Sequence, residues 1–168
     1  MNQPFNDQPI ETLVKQNLIQ EGTVLDLRLK YIGDKGMEYL AQNAELVNLR
    51  ELKLERNDLT DKGIEILAGS TIVMGLKSLN LERNAISDEG ARLIAQSPNF
   101  SNLTSLNLWK NKVGAEGAKN IADSIMLTNL ERLDLAQNKI GDEGGKAIAE
   151  SQTLTALKYL DMFGNGIG

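Results

Sequence analysis

The stretch from Leu76 to Ala95, LKSLNLERNAISDEGARLIA, contains two different hydrophobic periods. Around Leu79 and Leu81 apolar and polar residues alternate, which is typical of a short strand with one buried face. From Asp88 onward the apolar residues recur three and four positions apart, as on one face of an α-helix. The stretch therefore predicts a strand that is followed by a helix.

The same pattern recurs along the chain every 27 residues. The leading leucines are Leu49, Leu76, Leu103, Leu130 and Leu157, and Gly22 holds the same phase one unit earlier. One unit cannot bury its own leucines, whereas stacked units bury them in a continuous core. The sequence therefore predicts an α/β solenoid at residues 22–168, with six units that begin at residues 22, 49, 76, 103, 130 and 157.

The motif L-x-x-L-x-L-x-x-N, present in five successive units, resembles that of the leucine-rich repeat family. The helical half, ISDEGA at Ile86–Ala91, resembles the ribonuclease-inhibitor-like subclass of that family. This resemblance implies a right-handed solenoid, a fragment of a horseshoe, with a parallel β-sheet on the concave face and α-helices on the convex face. The subclass also includes the repeat arms of NOD-like receptors and of Ran GTPase-activating proteins.

The two ends of the array depart from the pattern. Apolar residues between Ile10 and Ile19 have helical spacing, so residues 1–21 are predicted to be an N-terminal cap with a helix at about 9–20. The sequence ends at Gly168, after the strand half of the sixth unit, so we expect a piece of a longer protein. Two alternatives are that a second copy covers this open edge, as a homodimer, and that the last half-unit frays.

The composition excludes several kinds of catalytic and metal site. The chain has no histidine and no cysteine, so it cannot form a disulfide, a Cys/His zinc site or a Ser-His-Asp triad. Adjacent acids such as Asp142 and Glu143 fall at predicted helix starts, where capping accounts for them. The recurring glycines match no phosphate-loop motif. We therefore expect no enzyme, no cofactor and no metal.

Charge and hydropathy limit the partners and the location. The net charge of −5 disfavours nucleic acid, since phosphate binding needs clustered lysine and arginine. No stretch of 18 apolar residues predicts a membrane span, and the N-terminal sequence has no apolar signal segment. We expect a cytoplasmic protein, or an exported or host-translocated one if it is a bacterial effector.

The motif asparagines recur at one position of each unit: Asn57, Asn84, Asn111, Asn138 and Asn165. They lie at the predicted strand ends, where a turn leaves backbone N–H and C=O groups without partners in the sheet. An inward amide can satisfy both kinds of group. We interpret these asparagines as structural residues and not as a binding site.

Side chains that point out of the predicted sheet are the third, fifth, seventh and eighth of each unit. Trp109, the only tryptophan, is one of them, and Phe163 follows in the same column beside Tyr159. Exposed aromatics next to cations have the composition of a protein-binding hot spot. The predicted contact residues are Trp109, Phe163, Tyr159, Glu55, Glu82, Arg56, Arg83, Lys110 and Arg132.

These features predict a non-enzymatic scaffold that binds a protein partner on the concave strand face. One alternative is the recognition arm of a larger receptor or of a bacterial effector. Another, suggested by the resemblance, is an accessory protein that activates a GTPase, for which Arg56 and Arg83 are the candidate residues.

Overall fold

One sheet contains all the strands in the computed structural model, which describes residues 8–168. The strands are β1 (Leu18–Ile19), β2 (Val24–Asp26), β3 (Glu51–Lys53), β4 (Ser78–Asn80), β5 (Ser105–Asn107), β6 (Arg132–Asp134) and β7 (Tyr159–Asp161). They are hydrogen-bonded in sequence order, and β2 to β7 are parallel.

The register of the parallel strands does not slip. Leu52 is opposite Leu79, and Leu79 is opposite Leu106, so that equivalent residues of each unit form straight columns across the sheet. The central leucines of β2 to β6 are at most 1% exposed. Burial of these columns is the main stabilising contribution of the strands, since each buried leucine contributes about 1.5–3 kcal/mol.

A helix follows each of the strands β2 to β6, and the helices of neighbouring units pack against each other. The helices are α1 (Ile10–Asn17), α2 (Gly33–Gln42), α3 (Asp61–Ala68), α4 (Asp88–Gln96), α5 (Ala115–Ala122) and α6 (Gly141–Ala149), and short 3-10 helices occur at Ala44–Leu46, Thr71–Val73 and Pro98–Phe100. The predicted α/β solenoid is confirmed. No helix within residues 8–168 is long and apolar enough to cross a membrane.

The N-terminal helix is shorter than predicted. Helix α1 ends at Asn17, and the next two residues form β1, which is antiparallel to β2. Gln20, Glu21 and Gly22 have φ angles of 52°, 57° and 81°. These left-handed residues make the turn of a hairpin, which a helix cannot continue through. Residues 1–7 of the predicted cap lie outside the described part of the chain.

The motif asparagines connect neighbouring units by hydrogen bonds. The side chain of Asn111 accepts from the Ile86 N–H at 3.0 Å and donates to the carbonyls of Leu81 and Leu108 at 2.9 and 3.1 Å. The other four asparagines make the same kind of contacts, accepting from a backbone N–H of the preceding unit and donating to its carbonyl. Each amide thus satisfies backbone groups in two units at once.

A second set of contacts between units lies at the helix starts. The hydroxyls of Thr60 and Ser87 cap α3 and α4 by accepting from the N–H groups of Lys62 and Glu89. The aspartates of the preceding helices bind these capping residues, and Asp61 accepts from the Ser87 N–H at 2.8 Å. Aspartates that suggest caps in the sequence thus also join one helix to the next.

Within residues 8–168 the core contains one fully buried aromatic ring, that of Phe100. The equivalent positions of the other units hold the smaller residues Leu46, Val73, Leu127 and Leu154. The ring lies at the end of a 3-10 helix, where the chain turns back toward the sheet.

Candidate protein-binding surface

We call the strand face the surface formed by the third, fifth, seventh and eighth side chains of each unit. Its eighth column has a left-handed backbone, with φ between 52° and 72° in Leu29, Arg56, Arg83, Lys110, Gln137 and Gly164. Such angles disfavour side chains other than glycine, asparagine and aspartate. Three of the predicted contact residues, Arg56, Arg83 and Lys110, therefore belong to the turn that ends each strand.

In the first half of the strand face, three acids pair with a cation of the same unit. Asp26 binds Arg28 at 2.6 Å, and this hydrogen bond is the main reason that the pKa of Asp26 is lowered. Glu51 pairs with Lys53 at 3.2 Å, and Glu82 pairs with the Arg83 Nε at 3.3 Å. Two of the predicted contact residues, Glu82 and Arg83, thus already compensate each other's charge.

Glu55 is the most enclosed of the predicted charged contacts. Its Oε1 accepts from Asn80 Nδ2 at 2.9 Å, and its Oε2 is buried with no hydrogen-bond partner among residues 8–168. Burial raises the pKa of this carboxyl above its ordinary value. Arg56 lies next to it in the chain, but Arg56 is exposed.

The aromatic residues of the strand face are stacked with arginines from neighbouring strands. The Arg83 guanidinium lies 4.7 Å from the centroid of the Trp109 ring, and Trp109 is half-buried. The Arg132 guanidinium lies 4.3 Å from the centroid of the Tyr159 ring, which is 40% exposed. Cation–π contacts of this kind contribute about 0.5–1 kcal/mol each at exposed sites.

Phe163 is the most exposed large apolar residue of the described chain, at 77%. It lies in the same column as Trp109 but two strands away, at a Cα distance of about 10 Å. Between them lies Ala136, which is only 4% exposed. The predicted aromatics therefore lie on one continuous surface, on which Ala136 separates Trp109 from Phe163.

The fifth column has a role that sequence reasoning missed. The side chains of Asn80, Asn107, Asp134 and Asp161 each accept a hydrogen bond from the backbone N–H two residues further on, at 2.8–3.0 Å. These local bonds hold the start of the turn. In the sequence, an asparagine or aspartate at the fifth position of a unit, two residues before the seventh, indicates these local bonds.

Asp134 and Asp161 are opposite each other in the paired strands β6 and β7. Neither forms an ion pair with a lysine or arginine among residues 8–168. The pKa of Asp134 is raised, first by burial and then by the charge of Asp161, while Arg132 opposes this shift. Like charges opposite each other in a sheet destabilise the pairing.

We expect Asp134→Asn to raise the free energy of unfolding by about 0.2–1 kcal/mol near neutral pH. Asparagine keeps the turn bond, as the native Asn107 does in the same column. A raised pKa means that the folded chain binds the proton of Asp134 more tightly than the unfolded chain does. The ionised carboxylate therefore destabilises the fold above the folded pKa, and this destabilisation disappears as the pH falls through that pKa. Urea unfolding at pH 7 and in mild acid measures both effects. The control is Asp58→Asn. A gain in unfolding free energy that is the same at both pH values, or that the control also shows, would contradict this explanation.

Comparison with known proteins identifies the repeat. A sequence family described as Leucine Rich repeat matches residues 46–68, 76–95, 101–122 and 127–149. No curated protein matches the chain. Among solved structures the chain is similar to an internalin (inlF) from Listeria monocytogenes str. 4b F2365, with 21% identity and a TM-score of 0.43. That similarity covers 78% of this chain and 45% of the internalin chain, so the chain spans less than half of the internalin's length. Because the family matches just over half of its residues, the chain belongs to the leucine-rich repeat family.

Proposed function

We propose that the chain is a non-enzymatic scaffold that binds a protein partner on its strand face. The observation that carries this proposal is the group of ordered aromatics at the C-terminal half of the face, where Arg83 stacks on Trp109 and Arg132 stacks on Tyr159. Phe163 beside them is 77% exposed. Because the strands are fixed in one sheet, binding costs little backbone ordering.

The contact surface combines these aromatics with charged side chains of both signs. Its proposed members are Trp109, Phe163, Tyr159, Glu55, Glu82, Arg56, Arg83, Lys110 and Arg132. The acids Glu55 and Glu82 lie among the arginines, and a surface of mixed charge suits a protein better than the phosphates of a nucleic acid. Several contacts of the face are already satisfied internally, so we assign most of the binding free energy to the aromatics.

The test compares the affinity of a purified partner for the Trp109→Ala variant with its affinity for the wild type. We expect a loss of about 30-fold or more, as for a hot-spot residue that contributes 2 kcal/mol. Met74→Ala is the matched control, because Met74 is an apolar side chain, 53% exposed, that lies away from the strand face. A thermal melt of each variant separates lost contacts from lost folding. If Trp109→Ala and Met74→Ala bind equally well, the partner does not use this surface.

The proposal also includes the subclass of the repeats and the division of the chain into a cap and six repeats. We assign the chain to the ribonuclease-inhibitor-like subclass with 27-residue repeats, on the spacing of its leucines and the helix that follows strands β2 to β6. Residues 1–21 would be the N-terminal cap, since α1 packs against α2 and β2, and residues 22–168 the six repeats. The asparagines of the motif serve the fold in this proposal, since their amides bind backbone groups.

For the edge of the sheet at β7 we propose a homodimer as the alternative to a covering segment of a longer protein. In β7, Leu160 is 38% exposed, whereas the equivalent Leu133 is fully buried. A second copy on this edge would cover Leu160 and pair the free backbone groups of β7.

We propose a cytoplasmic location for the protein, with export or translocation into a host as the alternative for a bacterial effector.

A further inference from the structure

We propose that the C-terminal half of the strand face binds a basic side chain, arginine or lysine, of the protein partner, which inserts between Tyr159 and Phe163 over Asp134 and Asp161. This inference rests on the proposed function and adds the chemistry of the partner. We call the four residues Asp134, Tyr159, Asp161 and Phe163 the acidic–aromatic patch.

Charge is distributed unevenly along the strand face. At the other end of the face, Asp26 and Glu51 each have a cation of the same unit within 3.2 Å. Asp134 and Asp161 have no such partner within residues 8–168, although the register places them directly opposite each other. A cation from outside the chain would remove the repulsion that remains here.

Arg132 is the cation nearest to the patch along the chain. It precedes Asp134 by two residues on the same face of β6, so it could pair with that carboxylate. Its guanidinium instead lies over the Tyr159 ring at 4.3 Å. The carboxylates thus stay open to a partner, and Tyr159 is held beside them.

The two carboxylates of the patch can accept further hydrogen bonds. Each uses Oδ1 to accept a backbone N–H, from Ala136 in one case and from Phe163 in the other. Asp161 Oδ2 accepts only the Tyr159 hydroxyl, at 3.5 Å, and Asp134 Oδ2 accepts no hydrogen bond from residues 8–168. Two carboxylate oxygens are therefore free to accept from a guanidinium or an ammonium group.

The apolar neighbours of the carboxylates fit the rest of such a side chain. Tyr159 precedes Asp161 by two residues on the same face, and Phe163 follows it by two. Phe163 is 77% exposed, so its ring can contact the methylene stem of a lysine or arginine while the charged end meets the carboxylates. An apolar residue next to the basic one in the partner would extend the contact toward Trp109.

The experiment is a selection of displayed 12-residue peptides on the folded chain. Selected peptides are synthesised, and their affinities are measured for the wild type, for Trp109→Ala and for the double variant Asp134→Asn/Asp161→Asn. The control is Asp58→Asn/Asp123→Asn, which removes two exposed charges away from the patch. The asparagines keep the two turn bonds, as the native Asn107 does, so the double variant is expected to fold.

We expect the peptides that depend on Trp109 to contain an arginine or lysine next to an apolar residue. The double variant should bind them at least tenfold more weakly, and the control should bind them as the wild type does. Citrulline in place of the peptide arginine should cause the same loss, with no further loss when it is combined with the double variant.

Two results would overturn the inference. If Trp109-dependent peptides bind the double variant as tightly as the wild type, no basic side chain is recognised at the patch, while the proposed function stands. If every selected peptide binds Trp109→Ala and Phe163→Ala as tightly as the wild type, both the strand-face function and the inference are wrong.

Discussion

Replacing Phe100 with alanine is expected to lower the free energy of unfolding by about 3–5 kcal/mol. The ring is fully buried, and it is the only aromatic ring in the core of the described residues. The stacked units on both sides fix the space around it, so the cavity left by alanine cannot collapse completely. Urea unfolding, followed by circular dichroism and by the fluorescence of Trp109, measures the loss.

Phe100→Leu is the matched control, because Leu46 and Leu127 hold the equivalent position in other units. We expect the leucine variant to lose much less than the alanine variant, about 1 kcal/mol, since most of the volume is kept. An alanine variant within about 1 kcal/mol of the wild type would show that the ring is not enclosed in solution.

The second large effect is expected for Asn111→Ala, at about 2–4 kcal/mol of unfolding free energy. Alanine leaves the buried Ile86 N–H without its acceptor, and it removes one of the two amide donors of the Leu81 carbonyl, which then accepts from Asn84 alone. These groups belong to the preceding unit, so the loss weakens the joint between two units and not only the mutated turn. The same unfolding experiment measures it.

Asn129→Ala provides the comparison, because Asn129 is exposed and donates one hydrogen bond, to the Ser101 carbonyl at 2.9 Å. We expect it to cost less than about 1 kcal/mol. Equal losses in the two variants would contradict the structural role that we propose for the motif asparagines.

Most of the fold could be predicted, because each unit repeats the same short pattern and stacking restricts how units can bury it. Leucines such as Leu79 and Leu106 lie in the predicted columns. The N-terminal hairpin could not be predicted, because its turn depends on left-handed residues at Gln20 and Glu21 that no local propensity favours. The burial of Phe100 breaks the pattern of the other units, which hold leucine or valine at the equivalent position.

The candidate surface was only partly predictable. The period of the strand indicates that Trp109 and Tyr159 point away from the core, which agrees with their partial exposure. The stacking of Arg83 and Arg132 on these rings depends on side-chain conformations across neighbouring strands, which the sequence does not specify. Asp134 was missed for a different reason, since its charge matters only through Asp161, which is 27 residues away.

The asparagine bonds also bear on how the chain is made. The side chain that accepts from the Ile86 N–H belongs to Asn111, which is 25 residues further toward the C-terminus. A ribosome releases the chain from its N-terminal end, so the turn of each unit emerges before the amide that completes it. During synthesis each turn N–H therefore lacks its asparagine acceptor until a further 25 residues have emerged.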